Sequence, residues 1–569
     1  MPFEELILPA GDLEVEDLHI MKPVYLSGCP GSTRIFVKGK IIVHLDPTYS
    51  SFPCRSKHLE DIYQEQSIKR NHSELVVPRN RVIIGGIQLI FQSEGLGWNS
   101  TAHLFEVSAQ TSLKVIGCDF QRAANKQVNC ELFGNASYFP SPIQGSGPGV
   151  LLLESCTVSD FDSIYTAPAI AHNMIINRCQ IMECWKTAIT CIDRNVIIIE
   201  HSSFKKCKNN VITIISGVEG ERSNYSYHTP LPSEQRNFIA DDHEDNESPH
   251  IAPRYLSKPM AMKDKLMPER SKLASAGSFL SLKNVNFWEN SGSCILATSD
   301  QRESVSRSYA TLSDCFFEEN AGVCVNEVAN RRLSLQIVSC RFLRNKSVCI
   351  NIEYSTSSRI ASCKFEENFG YLLTLSDSGT TFTKNICSNN GQSVKLTTRA
   401  GFLHLINIIQ NRFDGTSNGA GIEIFPGVSL RLDIQTNIIT KCLNGITIDG
   451  TASGVADLTQ YSRNQHSPAG YHHSNHHNLE SSSVIDMYDN DVTDCLEYGL
   501  KLIGSSFLIR SRKDLIEGNQ KGALYCISRA TPMNWKPDLL DPPKIVGKMF
   551  VNNQEIDYRN SSNSSCSLI

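Results

Sequence analysis

Cys315-Phe316-Phe317-Glu318-Glu319-Asn320, Cys340-Arg341-Phe342-Leu343-Arg344-Asn345 and Cys363-Lys364-Phe365-Glu366-Glu367-Asn368 are three copies of one pattern, 25 and then 23 residues apart. It reads small residue, variable residue, apolar residue, two polar residues, then Asn or Cys. Weaker copies begin at Cys118, Cys156, Cys179, Ser202, Val285, Asn385, Asn411, Asn437, Asn490 and Lys513. Self-similarity at such a period marks a solenoid. A run of about 22 to 26 residues closes one turn of three short strands rising about 3.3 Å per residue, with tight corners between them. The segments between the copies follow strand rules: Val196 to Ile199 is β-branched throughout, and Leu333 to Val338 alternates apolar with polar. No stretch keeps a helical period. The sequence therefore predicts an all-β chain, a single-stranded right-handed parallel β-helix of about a dozen coils with disordered loop insertions.

Stacking the coils turns the pattern into columns. Phe120, Val158, Ile181, Phe204, Phe287, Phe317, Phe342, Phe365, Phe413, Ile439, Val492 and Leu515 are expected to point inward as the spine of the core. Three residues on, Asn290, Asn320, Asn345, Asn368 and Asn390 form a candidate structural ladder, with Cys184, Cys207, Thr416, Cys442 and Cys495 in the same slot. An inward Asn at a corner can bond its own turn and the Asn above and below. Between the two columns Glu319, Arg344 and Glu367 should stack on the surface with alternating sign. Cys315, Cys340 and Cys363 share a slot with Ser202, Val285 and Asn385, so they read as small buried residues and not as a redox or metal set.

With 569 residues, 40% of them hydrophobic, the chain can bury a long core; its net charge of -5 and pI near 6.4 come without a basic tract. Nucleic acid is therefore not an expected partner. Met1 to Ala10 carries Glu4 and Glu5 and no basic-then-apolar leader, so no secretory signal is read there. No apolar run reaches transmembrane length. Twenty cysteines, many of them at core positions of the repeat, read as reduced, buried thiols in a cytoplasmic chain. Glycosylation sequons, among them those at Asn71, Asn99, Asn135, Asn224, Asn345, Asn560 and Asn563, argue the other way and are expected to be silent.

The repeat assigns residues 1–528 to the β-helix and 529–569 to an irregular tail. Segments 219–276 and 451–481 interrupt the spacing and are expected to be disordered. The first holds Asp241-Asp242-His243-Glu244-Asp245, the second His472, His473, His476 and His477. Neither has the fixed spacing of a calcium loop or a closed zinc site, so both read as solvated loops, and no metal or cofactor is expected. Gly145-Ser146-Gly147-Pro148-Gly149 lacks the Lys of a phosphate loop. Cys566-Ser567-Leu568-Ile569 makes Cys566 a candidate for lipidation, against which stand the non-aliphatic Ser567 and the lack of a basic run before it.

Parallel β-helices host pectate lyases and polygalacturonases, whose chemistry needs paired carboxylates or a basic residue beside a cation. The Asn-Thr-Asp, Gly-His-Gly and Arg-Ile-Lys runs of polygalacturonases are missing. The expectation is a chain that is not an enzyme and binds a protein or glycan along its faces, with a polysaccharide lyase or glycoside hydrolase as the rival. By register, Trp288 is the expected sugar-stacking aromatic.

Gly419-Ala420-Gly421-Ile422-Glu423-Ile424-Phe425-Pro426-Gly427, followed by Ile438-Ile439-Thr440-Lys441-Cys442-Leu443-Asn444-Gly445, resembles the C-terminal β-helix of the SHC SH2-domain-binding protein and its spindle-associated relatives. Asp489 to Gly499, Leu8-Pro9-Ala10-Gly11 and Lys22 to Gly28 continue the likeness. The coils are also similar to those of F-box proteins with carbohydrate-binding-and-sugar-hydrolase repeats, and share the pectin-lyase-like style. The resemblance covers most of residues 1–528. It implies a non-catalytic cytoplasmic scaffold, in one branch with centralspindlin, spindle or midbody partners in cytokinesis, and in the other with substrate capture for a ubiquitin ligase. No F-box is present, and the chain enters the β-helix almost at once.

Overall fold

The structure, a computed structural model, describes residues 4–45, 81–92, 101–108, 111–123, 129–135, 149–166, 172–192, 196–216, 276–299, 307–328, 333–355, 357–398, 404–427, 430–451, 483–504, 507–527, 534–538 and 540–556. Each coil carries three strands, as in Leu333–Val338, Arg341–Leu343 and Ile350–Glu353. Strands at the same place in successive coils pair in parallel, giving three long sheets called here A, B and C in chain order. No helix occurs among the described residues. Sheet A has 17 strands, from Glu4–Ile7 to Asn534–Pro537. The repeat signature counts only about a dozen coils. The first coils carry other residues in the signature columns: in the coil with Arg81–Gly85, Leu89 stands in the column of Phe120 and Ile87 in the Cys118 slot, so the pattern is not visible there. Pairing also runs past residue 528, where Asn534–Pro537 lies against Phe507–Arg512 without any copy of the signature.

Two corners of the coil are turned by a left-handed residue. Ser339, Ser362, Lys384 and Gln410 lie at φ 55 to 57° between sheets A and B; Glu319, Arg344 and Glu367 lie at 50 to 55° between sheets B and C. Such a residue costs about 1–2 kcal/mol when it is not glycine. The side chain that follows it inward offsets that cost. Asn345 Nδ2 donates to Asn368 Oδ1 and to the Phe317 carbonyl, both at 3.0 Å, while Asn345 Oδ1 accepts from the Nδ2 of Asn320 at 3.0 Å and its backbone N at 3.1 Å. The same bonds link Asn290 to Asn320 and Asn368 to Asn390.

A second ladder stands at the other corner, where Asn385, Asn411, Asn437 and Asn490 bond in series and end on Asp514. The sequence reading placed these asparagines in the Cys315 slot as small residues. They replace thiols that stack there in the earlier coils, because either side chain fits a corner that turns this tightly. The cysteines are free, and all but Cys29 of those described are buried. Burial and its neighbours Cys315 and Cys363 push the Cys340 thiol well up, which keeps it neutral.

Inside, Phe287, Phe317, Phe342 and Phe365 stack at 4.7 to 4.8 Å with rings within 6° of parallel. The column continues through Cys387, Phe413, Ile439 and Val492 to Ile516. Leu515, the residue the spacing assigned, sits one position off and is only half-buried. The left-handed corner falls on Lys513, so the last copy starts at Asp514.

Polar side chains break the apolar rule at a few inward positions, Ser358 and Thr380 on sheet A among them, and at one the side chain is a carboxylate. Glu327 on sheet C lies between Ala297 and Ile352 and is fully buried. Burial pushes its carboxyl up to about 8, opposed only by the Ser355 hydroxyl, and neither carboxyl oxygen has a partner in hydrogen-bond geometry.

Candidate functional site

With the core filled, chemistry is left to the outer faces. On sheet C the outward column Asn326, Asn351, Thr374, Lys395, Glu423, Thr447, Lys501, Tyr525 and Phe550 stands in unbroken register. Alternation along each strand sets this column outward while Leu375, Leu396, Ile424 and Ile448 face the core. At its lower end Asn351 bonds Asn326 at 2.9 Å and accepts from Thr374 at 2.5 Å, a polar ladder on the surface.

Above it the face becomes aromatic and charged. Tyr371 Oη donates to Glu423 Oε2 at 3.1 Å, and the Lys395 ammonium lies 5.4 Å from the centre of the Tyr371 ring and 5.3 Å from that of Phe425. Burial, together with the Glu423 carboxylate, pushes the Tyr371 hydroxyl up to about 12, so it stays a donor. Further along, Tyr498 stacks on Tyr525 at 4.7 Å and meets Phe550 edge-on at 6.0 Å. Lys521 donates to Glu497 at 2.5 Å, and Asn444 donates to the other oxygen at 3.3 Å. Lys521 holds the Glu497 carboxyl below its ordinary value. Tyr371 to Phe550 span seven coils, about 29 Å at the usual strand spacing. All five rings are half-buried: they are fixed by neighbours on one side and open on the other.

Sheet A carries a different group. Asn407, Asp433, Asp486 and Arg510 face outward on successive coils. Burial, and then the Asp486 charge, raise the Asp433 carboxyl, against the pull of Arg431. Arg510 Nε lies 3.7 Å from Asp486 Oδ1. Two carboxyl groups thus stand in adjacent coils, Asp433 pushed up by burial and Asp486 beside an arginine.

Trp288, the aromatic expected from register, lies on sheet B with 41% exposure. Lys205 Nζ sits 3.7 Å over its ring and in-register Glu318 follows it, so it does not join the aromatic group on sheet C. The sequence reading missed Tyr498, Tyr525 and Asp433 because they are single residues in ordinary strands. Their grouping follows from the register alone. Asp241, His472, His473, His476, His477 and Cys566 lie outside the described residues. No helix among the described residues is long and apolar enough to cross a membrane.

Comparison with known proteins gives a match to the family described as "Right handed beta helix region" over residues 273–432. The fold is a right-handed parallel β-helix. No curated protein matches the sequence at a significant level. Among solved structures, the chain is similar to the A-module of the mannuronan C-5 epimerase AlgE6 of Azotobacter vinelandii, at 9% identity and TM-score 0.25, covering 78% of this chain and 85% of that one. It is also similar to the periplasmic alginate epimerase AlgG, at 8% identity and TM-score 0.23, covering 85% of this chain and 73% of that one. These matches correct the expectation that the chain is not an enzyme, since the similar structures are themselves enzymes on this fold. At such identities and TM-scores they assign no activity here.

Proposed function

We propose that this protein is carbohydrate-active, binding an extended sugar polymer along sheet C between Tyr371 and Phe550. The observation that carries the reading is the group of five half-open rings interleaved with Lys395, Lys501, Lys521, Glu423 and Glu497 on one flat face. Rings present an apolar platform, while fixed ammonium and carboxylate groups bond hydroxyls or uronate carboxylates. Titration of neutral and uronic polysaccharides into the full chain tests it. Binding is expected to weaken at least tenfold in Tyr498→Ala and Tyr525→Ala and to stay unchanged in Trp288→Ala. Equal binding by all three variants overturns it.

A second reading, a polysaccharide lyase or glycoside hydrolase, is favoured by the Asp433 and Asp486 pair. Neighbouring strands place the two residues about 4.8 Å apart along the helix axis, and glycosidases work with two carboxyl groups in different protonation states. Chain cleavage lost in Asp433→Asn supports it. Cleavage retained in that variant sets the pair aside. The protein scaffold in the cytoplasm, at the spindle or midbody, the ligase branch and lipidation of Cys566 are proposals drawn from the resemblance and the tail sequence. Proximity labelling in dividing cells tests them.

A further inference from the structure

Where sheet C turns into sheet A, the core carries a cluster of oxygen atoms. Glu327 lies in the inward column of sheet C between Ala297 and Ile352. Ser355 and Ser378 stand at the corners after Ile350–Glu353 and Leu373–Ser376, in the next two coils. Ser358 and Thr380 are in register on the sheet A strands that follow those corners. All five side chains are buried.

The bonds among them leave lone pairs over. Ser378 Oγ accepts from the Ser355 amide at 3.1 Å and donates to the Ser376 carbonyl at 2.7 Å. The Ser355 and Ser358 hydroxyls share one hydrogen bond at 2.9 Å. The Ser355 hydroxyl also lies beside the Glu327 carboxyl, yet neither carboxyl oxygen, nor Thr380 Oγ1, has a partner in hydrogen-bond geometry. No base answers the carboxyl: the buried polar side chains of the described residues include one Lys, Lys114, several coils earlier in Ser112–Ile116, and no Arg or His.

An unpaired buried carboxylate is costly, so the group keeps its proton unless another positive charge takes that place. What the corner offers such a charge is one carboxylate among hydroxyl oxygens. Hard cations take oxygen ligands, and one carboxylate balances a single charge. Among the described residues no three His, Cys, Asp or Glu are grouped to hold a metal ion, which argues against a divalent one.

We propose that this corner binds one sodium or potassium ion inside the core, held by the Glu327 carboxylate and the hydroxyls of Ser355 and Ser358. The ion enters as the proton leaves, so the site stays neutral. It is independent of the sheet C face.

Urea unfolding of the full chain at pH 8 tests it, with choline chloride replaced stepwise by sodium chloride or potassium chloride at fixed ionic strength. One ion bound by the fold alone shifts the folding equilibrium by about tenfold for each tenfold rise in its concentration above half-saturation. The salt that gives the larger shift identifies the ion. Glu327→Gln, which keeps the shape of the side chain, is expected to lose the shift. Ser358→Ala, which keeps the carboxylate, is expected to need at least tenfold more ion for the same shift. Glu517→Gln, on the outer face of sheet B, is expected to respond as the unaltered chain does. Equal stability in all three salts means that a proton or an ordered water fills the corner, and overturns the proposal. An ion response that survives in Glu327→Gln, or is unchanged in Ser358→Ala, places the ion elsewhere and overturns it as well.

Discussion

The coils from Val285 to Asn390 and the first coil use the same three strands, yet they sit in opposite situations. In the central coils Phe317 and Phe342 each have a ring above and below, and Asn320, Asn345 and Asn368 each bond the Asn on both sides. In the first coil the apolar residues are half-covered, no Asn ladder exists, and the acids find partners on one side. In a solenoid each coil contacts only its neighbours, so stability is close to a sum of nearest-neighbour terms. A coil with two described neighbours is therefore held from both sides, and the first described coil from one.

The largest test of that contrast lies at Glu327, where the central core carries a flaw. Burial pushes its carboxyl from an ordinary 4.5 up to about 8 in the fold. Below about pH 4.5 it is neutral in both states. Between 4.5 and 8 the unfolded chain releases the proton and the fold keeps it, so stability falls as pH rises, by on the order of 3–5 kcal/mol in total. Glu327→Gln is expected to lose that slope, and chemical unfolding at pH 5 and pH 8 reads it.

Phe342→Ala comes next. It empties a slot in a tight stack and is expected to cost about 3–5 kcal/mol, whereas Leu13→Ala in the first coil costs under about 1 kcal/mol. Thermal unfolding of both variants breaks the comparison if the two losses are alike. Asn345→Ala leaves the Phe317 carbonyl and the Asn320 amide without their partner in the core, at about 2–3 kcal/mol. Smallest is Lys38→Ala, which removes an exposed ion pair to Glu14 and should cost less than about 1 kcal/mol, with a loss that shrinks further in high salt.

The parts of the fold that repeat were legible in the sequence. Cys315, Phe317 and Asn320 recur because each coil poses the same packing problem, and a repeat writes one solution many times. Val82, Ile84, Ile87 and Leu89 solve it with another set of side chains, so the early coils were undercounted. The ladder from Asn385 to Asn490 was visible as a column but not as a set of bonds, since an Asn and a Cys in one slot look alike until the corner geometry is known. Glu327 was invisible. A glutamate after Asn326 in an alternating strand reads as surface unless the register of Val325 is fixed. The candidate site was least legible of all, because Tyr371, Glu423 and Tyr498 lie far apart in the chain and meet only once the coils are stacked.

Hydrogen exchange along the full chain tests the nearest-neighbour account most directly. The account predicts the slowest exchange in the strands of coils Val285 to Asn390, and the fastest among the described strands in Glu4–Ile7, Gly11–Val15 and Leu18–Ile20. Exchange in the first coil as slow as in the coil of Phe342 contradicts it.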